Sequence, residues 1–395
     1  MKMTLAAAVP RHSDCDRASS LALMLRSRAL NASTRVFDAV WRGVSKHEGH
    51  GPPHPSRRRL HRLLRMKAEV EPRRSGQNLC AAILVGLTAI ATAQTSPAET
   101  LKVAVAQPGF WNSTFIDVGL KQGYFKQVGL DIEILYTEGG ASTLTPVIAG
   151  SIDIAMTNGI LGVVAAYAKG MPVKVISAEA TGAAEAFWYA RPESGIRRLA
   201  DTNGKTVAYS SPGSSTNLIL LQLVSQAKVA PRLVATGGAP ATLTQVMSGQ
   251  IDVGWSVPPF VLQQLADGKL VIIARGSDVP ALAQQTIRVN VANANALKER
   301  RDAFVRFIRA LSRAIDWAYS DPGAIDHYAE IAKVPRALAQ QTRDEFFPKE
   351  ALQLAEVKGL DVTLKQALEF KYITLPMSLA DAQGMLDILY KPDEK

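Results

Sequence analysis

One stretch of this chain occurs twice, 99 residues apart, and this limits what the chain can fold into. Residues 139–154 align without a gap to residues 238–253. Eight of the sixteen positions are identical: Gly139, Thr143, Leu144, Thr145, Val147, Gly150, Ile152 and Asp153 match Gly238, Thr242, Leu243, Thr244, Val246, Gly249, Ile251 and Asp252. Each copy reads as a glycine turn, a short helix, a glycine that ends it and an apolar strand. Gly150 and Gly249 suit the left-handed residue that terminates a helix. Two copies so far apart do not make a solenoid, which needs several tandem units at a shorter period. They predict two similar α/β lobes in one chain, with room for a large core.

Charge is distributed unevenly. The net charge is +10, and residues 1–93 alone supply it with 16 Lys and Arg against 6 Asp and Glu, leaving residues 94–395 neutral. A field that would draw nucleic acid is therefore absent from the part expected to fold, and no nucleic-acid partner is expected. Both cysteines, Cys15 and Cys80, lie in the leader, as do five of six histidines. Disulfides, zinc–thiolate sites and cysteine nucleophiles are thereby excluded from residues 94–395. Within the leader, Arg73 and Arg74 precede an apolar run from Leu79 to Thr92 that ends in Ala91-Thr92-Ala93. That pattern predicts a signal peptide over 66–93, cleaved after Ala93, and it implies a periplasmic protein. The run is short for a membrane span. Residues 1–65, with Arg57-Arg58-Arg59 as their densest basic point, are expected to be a disordered tail or a misannotated extension. A basic arm ahead of an export signal would have little use.

From Leu101 strands and helices alternate, which predicts a mostly parallel sheet covered by helices. Strands are expected at 101–106, 131–136, 152–156 and 173–177, and in a second unit at 205–209, 232–236, 251–255 and 270–274. Helices are expected at 114–122, 159–169 and 214–228. Phe304, Phe307, Ile308, Leu311 and Ile315 recur at helical spacing and predict a helix with one buried face. The final 70 residues read as helical, broken at Pro335, Pro348 and Pro376.

Residues 121–133 (Lys-Gln-Gly-Tyr-Phe-Lys-Gln-Val-Gly-Leu-Asp-Ile-Glu) resemble the early helix–turn–strand of solute-binding proteins from the nitrate/sulfonate/taurine branch of ABC importers, which includes THI5-like members. The repeated Gly-x-Ile-Asp element, Ser194-Gly195-Ile196 and the segment from Leu199 to Ala208 are similar to that family in the same order. The resemblance covers about 100–320 and fades beyond. It implies a two-lobed periplasmic-binding-protein type II α/β fold with two interlobe crossings. Lobe one would comprise 94–186 plus 288–395, and lobe two 187–287. It also implies a monomer without cofactor or metal that closes on a small ligand and delivers it to an ABC permease and ATPase in the inner membrane.

Ligands of open α/β sheets bind beyond the carboxyl ends of the strands. That rule selects Phe110, Trp111 and Asn112 after the first strand, Gly140 and Ala141 after the second, Asn158 after the third and Thr181 after the fourth. In the second unit it selects Ser211, Ser214, Ser215 and Thr216 at a strand-to-helix turn, and Trp255 and Ser256 after the second repeat. A helix start rich in hydroxyls favours an anion, and the aromatic residues favour an apolar part. The expected ligand is an organic sulfonate or carboxylate. Asp153 and Asp252 begin strands at the end away from the cleft and are expected to be structural. Arg288 is expected in a salt bridge rather than on the ligand, and His327 as a structural histidine. An enzyme of pyrimidine or thiamine-precursor metabolism on the same fold is the alternative, although residues 94–395 offer no nucleophile and base pair. A regulatory ligand-binding domain would need a DNA-reading helix pair upstream, where an export signal stands instead.

Overall fold

The described residues form ten strands in two five-stranded sheets of matching order, β2-β1-β3-β10-β4 and β7-β6-β8-β5-β9. The computed structural model describes residues 98–392; the expected signal peptide, the 1–65 extension, both cysteines and residues 94–97 lie outside them. The first sheet holds β1 (Glu99–Ala106), β2 (Leu130–Thr137), β3 (Ile154–Gly159) and β4 (Val173–Thr181). The second holds β5 (Phe187–Ala190), β6 (Thr206–Tyr209), β7 (Arg232–Ala235), β8 (Val253–Ser256) and β9 (Val271–Arg275). Strand β10 (Thr286–Asn293) returns to the first sheet. Helices in chain order are α1 (Phe115–Lys121), α2 (Tyr124–Gln127), α3 (Ala141–Ile148), α4 (Ile160–Ala168), α5 (Ser215–Ala227), α6 (Ala239–Met247) and α7 (Leu262–Ala266). The remainder are α8 (Ala294–Glu299), α9 (Arg301–Ser320), α10 (Ala324–Ala332), α11 (Arg336–Gln341), α12 (Leu360–Glu369) and α13 (Leu379–Gln383).

The repeat has the same meaning in each sheet. One copy supplies α3 and β3, the other α6 and β8, and both strands sit third in their sheet's order. Gly150 and Gly249 adopt φ of 75° and 77°, a left-handed conformation that costs glycine little. The aspartates that follow also play matching parts. Asp153 Oδ2 accepts the Lys102 amide of β1 at 2.9 Å, and Asp252 Oδ2 accepts the Thr206 amide of β6 at 2.8 Å. Thr206 Oγ1 adds a second bond to Asp252 at 2.7 Å, while Asp153 pairs with Arg300. Each carboxylate thus fastens its strand to the neighbour at the end remote from the cleft, a structural part.

The strands that follow the chain's passage between sheets run against the rest. β10 is antiparallel to β3 and β4, and β5 is antiparallel to β8 and β9, whereas β1–β2, β1–β3, β6–β7 and β6–β8 are parallel. A chain arriving from the other sheet enters from the cleft side, so its strand must point the opposite way. β5 is a strand that the residue pattern did not reveal.

Helix α9 buries Phe304, Phe307, Ile308, Leu311 and Ile315 as their spacing predicts, and Phe307 stacks on Phe125 with ring centroids 5.3 Å apart. The C-terminal segment lies against the first sheet. Val175 donates to Met385 O at 3.0 Å, and the Asp387 and Leu389 amides donate to Val175 and Ile176 carbonyls at 2.8 Å. Pro335 and Pro348 stand at the N-caps of short helices, which suits a residue without an N–H.

Candidate functional site

A pocket enclosing about 30 Å³ lies where the carboxyl ends of both sheets face each other. The first sheet contributes Ala106 and Gln107 at the end of β1, Phe110 and Asn112 beyond it, Gly139 and Gly140 after β2, Thr157 and Gly159 of β3, and Arg288 of β10. The second contributes Ser210, Ser214, Ser215 and Thr216 around the start of α5, with Trp255 and Val257 at the end of β8. Parallel strands point their carboxyl ends the same way, and the loops between strand and helix converge there.

Close approach at the pocket's edge depends on glycine. A Cβ on Gly159 would lie 2.4 Å from the Gly213 carbonyl oxygen, and one on Gly213 would lie 2.7 Å from Gly162 Cα. Gly213 also has φ of 77°, which favours glycine. The Gly162 amide donates to Gly213 O, and the Gly213 amide donates to Tyr372 Oη at 2.8 Å. Two non-glycine residues of the lining share that left-handed conformation, Gln107 at φ 53° and Thr157 at φ 58°. For a β-branched residue such as Thr157 this is a strained backbone. The Thr157 amide is held by Asn290 Oδ1 at 3.2 Å.

At the start of α5, Ser214 caps the helix by accepting the Asn217 amide at 3.2 Å. Thr216 Oγ1 accepts the Ser210 amide and meets the Ser210 and Ser214 hydroxyls, each at 3.0 Å. Ser215 Oγ accepts Arg288 Nε at 3.0 Å. These bonds hold the first turn of α5, and its leading amides, against the pocket. Among the described residues, Arg288 is the one charged member of the lining, and it pairs with Glu185 of the first crossing, both side chains buried. The salt bridge expected for Arg288 is therefore present, in the interior. Behind the pocket, Asn112 Nδ2 donates to Glu179 Oε1 at 2.7 Å. Burial pushes the Glu179 carboxyl above its ordinary value; Arg288 and the Asn112 bond pull it down, and Glu185 pushes it further up. Phe110 spans the cleft, edge-on to Trp255 at 6.4 Å and to Phe260 at 5.4 Å between centroids.

The pocket gathers Phe110, Asn112, Gly140, Ser214, Ser215, Thr216 and Trp255 from the positions selected by sequence. Six others lie elsewhere. Trp111 is buried on the far side of the turn, its Nε1 donating to Tyr319 Oη at 2.8 Å and its ring edge-on to Phe115, Tyr319 and Tyr328. Adjacent residues of a helical turn diverge, so Phe110 takes the cleft and Trp111 the core. Thr181 is turned to Thr286, 3.0 Å between hydroxyls, and borders a separate groove with Ala183 and Gly276. Ser256 donates to Phe260 O at 3.2 Å and is fully buried. Ser211 Oγ lies against Gly140 across the interface. Ala141 and Asn158 line a neighbouring groove of about 400 Å³ with Leu144, Lys169 and Tyr372. Volume favours that groove, but the strand ends, buried polar groups and strained residues converge on the smaller pocket. Gln107 and Thr157 fall within the loops that the sequence picks out after the first and third strands, although neither is named there as a ligand contact. Their left-handed backbone leaves no mark on the residue pattern.

Two α/β sheets of one strand order, facing each other across a cleft and joined by two crossings, define the periplasmic-binding-protein fold. Solved structures share it. The alkanesulfonate-binding protein SsuA of Xanthomonas axonopodis pv. citri, bound to MOPS, is 17% identical, with a TM-score of 0.62 over 74% of this chain and 99% of that one. The periplasmic nitrate-binding protein NrtA of Synechocystis PCC 6803 is 13% identical, with a TM-score of 0.58 over 73% and 85%. A Candida albicans protein described as having the generic periplasmic binding protein fold is 16% identical, with a TM-score of 0.57 over 73% and 96%. No curated protein matches the sequence. The chain belongs to the NMT1/THI5-like family, whose model matches residues 111–325.

Proposed function

We propose that this protein is the periplasmic substrate-binding component of an ABC importer, taking up a small organic anion, a sulfonate or carboxylate, between its lobes and presenting it to a membrane permease. The lobes are 94–186 with 288–395, and 187–287. The observation that carries this reading is the convergence of both sheets on one pocket, which joins the start of α5 to an interlobe aromatic cluster. Because Glu185 already neutralises Arg288, an anion would be met by the amides of α5 and the hydroxyls around them. Phe110, Trp255 and Phe260 would part to admit an apolar portion. At about 30 Å³ the pocket fits little more than a water, so capture of an organic anion requires the lobes to stand further apart than here. The described residues contain no helix long and apolar enough to cross a membrane.

Native mass spectrometry of the purified protein, followed by a thermal-shift panel of alkyl and aryl sulfonates, carboxylates and nitrate, tests this reading. One class should raise the melting temperature in proportion to the logarithm of its concentration. Release of a new product from any of these compounds would instead establish an enzyme.

A further inference from the structure

Two side-chain oxygens of the pocket lining, Asn112 Oδ1 and Thr157 Oγ1, are buried without a hydrogen-bond partner. Asn112 is 3% exposed, and its amide nitrogen is committed to Glu179 Oε1 at 2.7 Å. That bond fixes which way the amide faces, and Oδ1 on its other edge is buried without a hydrogen-bond partner. Thr157, 8% exposed on the strained end of β3, likewise has a buried Oγ1 without a partner. Both residues line the same small pocket. A buried amide oxygen without a donor is costly to a folded protein, and sites retain such groups where a ligand completes them. Ionised Glu179 can only accept, so it takes the Asn112 amide hydrogen through Oε1, and neutral Glu179 does the same with its proton on Oε2.

Resting on the binding reading above, we infer that Asn112 is a specificity-determining residue, positioned by Glu179, that selects ligands carrying an N–H or O–H donor next to their anionic group. A ligand lacking that donor would leave Asn112 Oδ1 sealed and unpaired, whereas a matched ligand would satisfy it. Thr157 Oγ1, able to donate or accept, supports the same part of the ligand. Glu179 is a positioning residue, since Asn112 stands between it and the pocket.

The test is isothermal titration of the full protein with matched pairs: ethanesulfonate against 2-hydroxyethanesulfonate and 2-aminoethanesulfonate, benzenesulfonate against 4-hydroxybenzenesulfonate, propanoate against 3-hydroxypropanoate, and the uncharged pair N,N-dimethylacetamide and acetamide. Donor-bearing members should bind roughly 10- to 100-fold tighter than their partners. Glu179→Gln keeps an acceptor for the Asn112 amide and should keep the preference. Glu179→Leu frees the amide to turn over, and Asn112→Leu removes it; both should bring the pairs to within about twofold. Circular dichroism melts confirm that each variant is folded, and the wild-type comparison stands even where a variant is not. Equal or tighter binding by the partners lacking a donor overturns the inference. Binding of acetamide alone would support the donor preference of Asn112 but overturn its placement beside an anionic group together with the anion reading, and binding of no probe at all would overturn both.

Discussion

The Gly162 amide donates across the cleft to the Gly213 carbonyl at 3.1 Å. Gly162 belongs to α4 on the first sheet, and Gly213 to the loop between β6 and α5 on the second, so this backbone bond joins the two halves where they touch. Substituting Gly213 by Ala places a Cβ 2.7 Å from Gly162 Cα, at a backbone φ of 77°. The closed form should lose contact, and ligand affinity should weaken by about tenfold or more. Titration calorimetry measures the affinity, and small-angle scattering should show a liganded protein as expanded as the free one.

Tyr372 comes from the C-terminal segment and reaches the same loop. Its hydroxyl accepts the Gly213 amide and donates to Asn217 Oδ1. Because the Gly213 amide also reaches Asn217 Oδ1 at 3.1 Å, Tyr372→Phe leaves it a partner. The closed state should lose about 0.5–1.5 kcal/mol, near the lower end, seen as faster ligand dissociation at an unchanged association rate. An unchanged dissociation rate would show that the segment plays no part in holding the lobes together.

Asp252 titrates below its ordinary value. Burial alone would raise it, but the amide and hydroxyl of Thr206, with Lys205 and Arg191 nearby, more than reverse that. A depressed carboxyl contributes stability that is present above its unfolded value of about 3.8 and is lost as pH falls through the folded one. Asp252→Asn should therefore melt below the parent at pH 7, with the gap narrowing as the pH is taken below that value. A gap independent of pH would assign the loss to packing.

Glu179 has the opposite sign. Its carboxyl is raised by burial, so the folded state holds the proton more tightly than the unfolded chain. Its contribution is greatest below the unfolded value of 4.5 and declines as pH rises from there through the folded value. Glu179→Gln cannot ionise, and its melting temperature relative to the parent should rise over that interval. Melts of both proteins at matched pH would show this, and parallel curves would contradict it.

Much of the frame was legible because it rests on local signals. The glycines that end α3 and α6, the apolar spacing of α9 and the duplicated Ile-Asp pair each report a backbone or burial requirement that a few neighbouring residues satisfy. The place of the two aspartates at the start of a strand points to a structural part, and the bonds to Lys102 and Thr206 give that place its reason. Strand direction was less accessible. Nothing in residues 187–190 or 286–293 encodes that they run antiparallel to their neighbours; the return of the chain from the opposite sheet imposes it. The site was legible as a set of loops but not side chain by side chain. Phe110 and Trp111 are adjacent and chemically alike, yet one faces Trp255 and the other Tyr319. The bond that orients Asn112 joins residues 67 apart in the chain, beyond the reach of any local pattern.

The pairing of Arg288 with Glu185 leaves the pocket lining electrically balanced, both side chains being almost wholly enclosed. A charge cancelled at contact distance projects little field into the solvent, and residues 94–395 carry no net charge to add one. Encounter with a charged solute would then proceed without long-range guidance. Association followed by tryptophan fluorescence in a stopped-flow instrument should change less than about twofold between 0.01 and 0.5 M salt. Such a protein would scavenge its solute equally well in dilute and in saline surroundings.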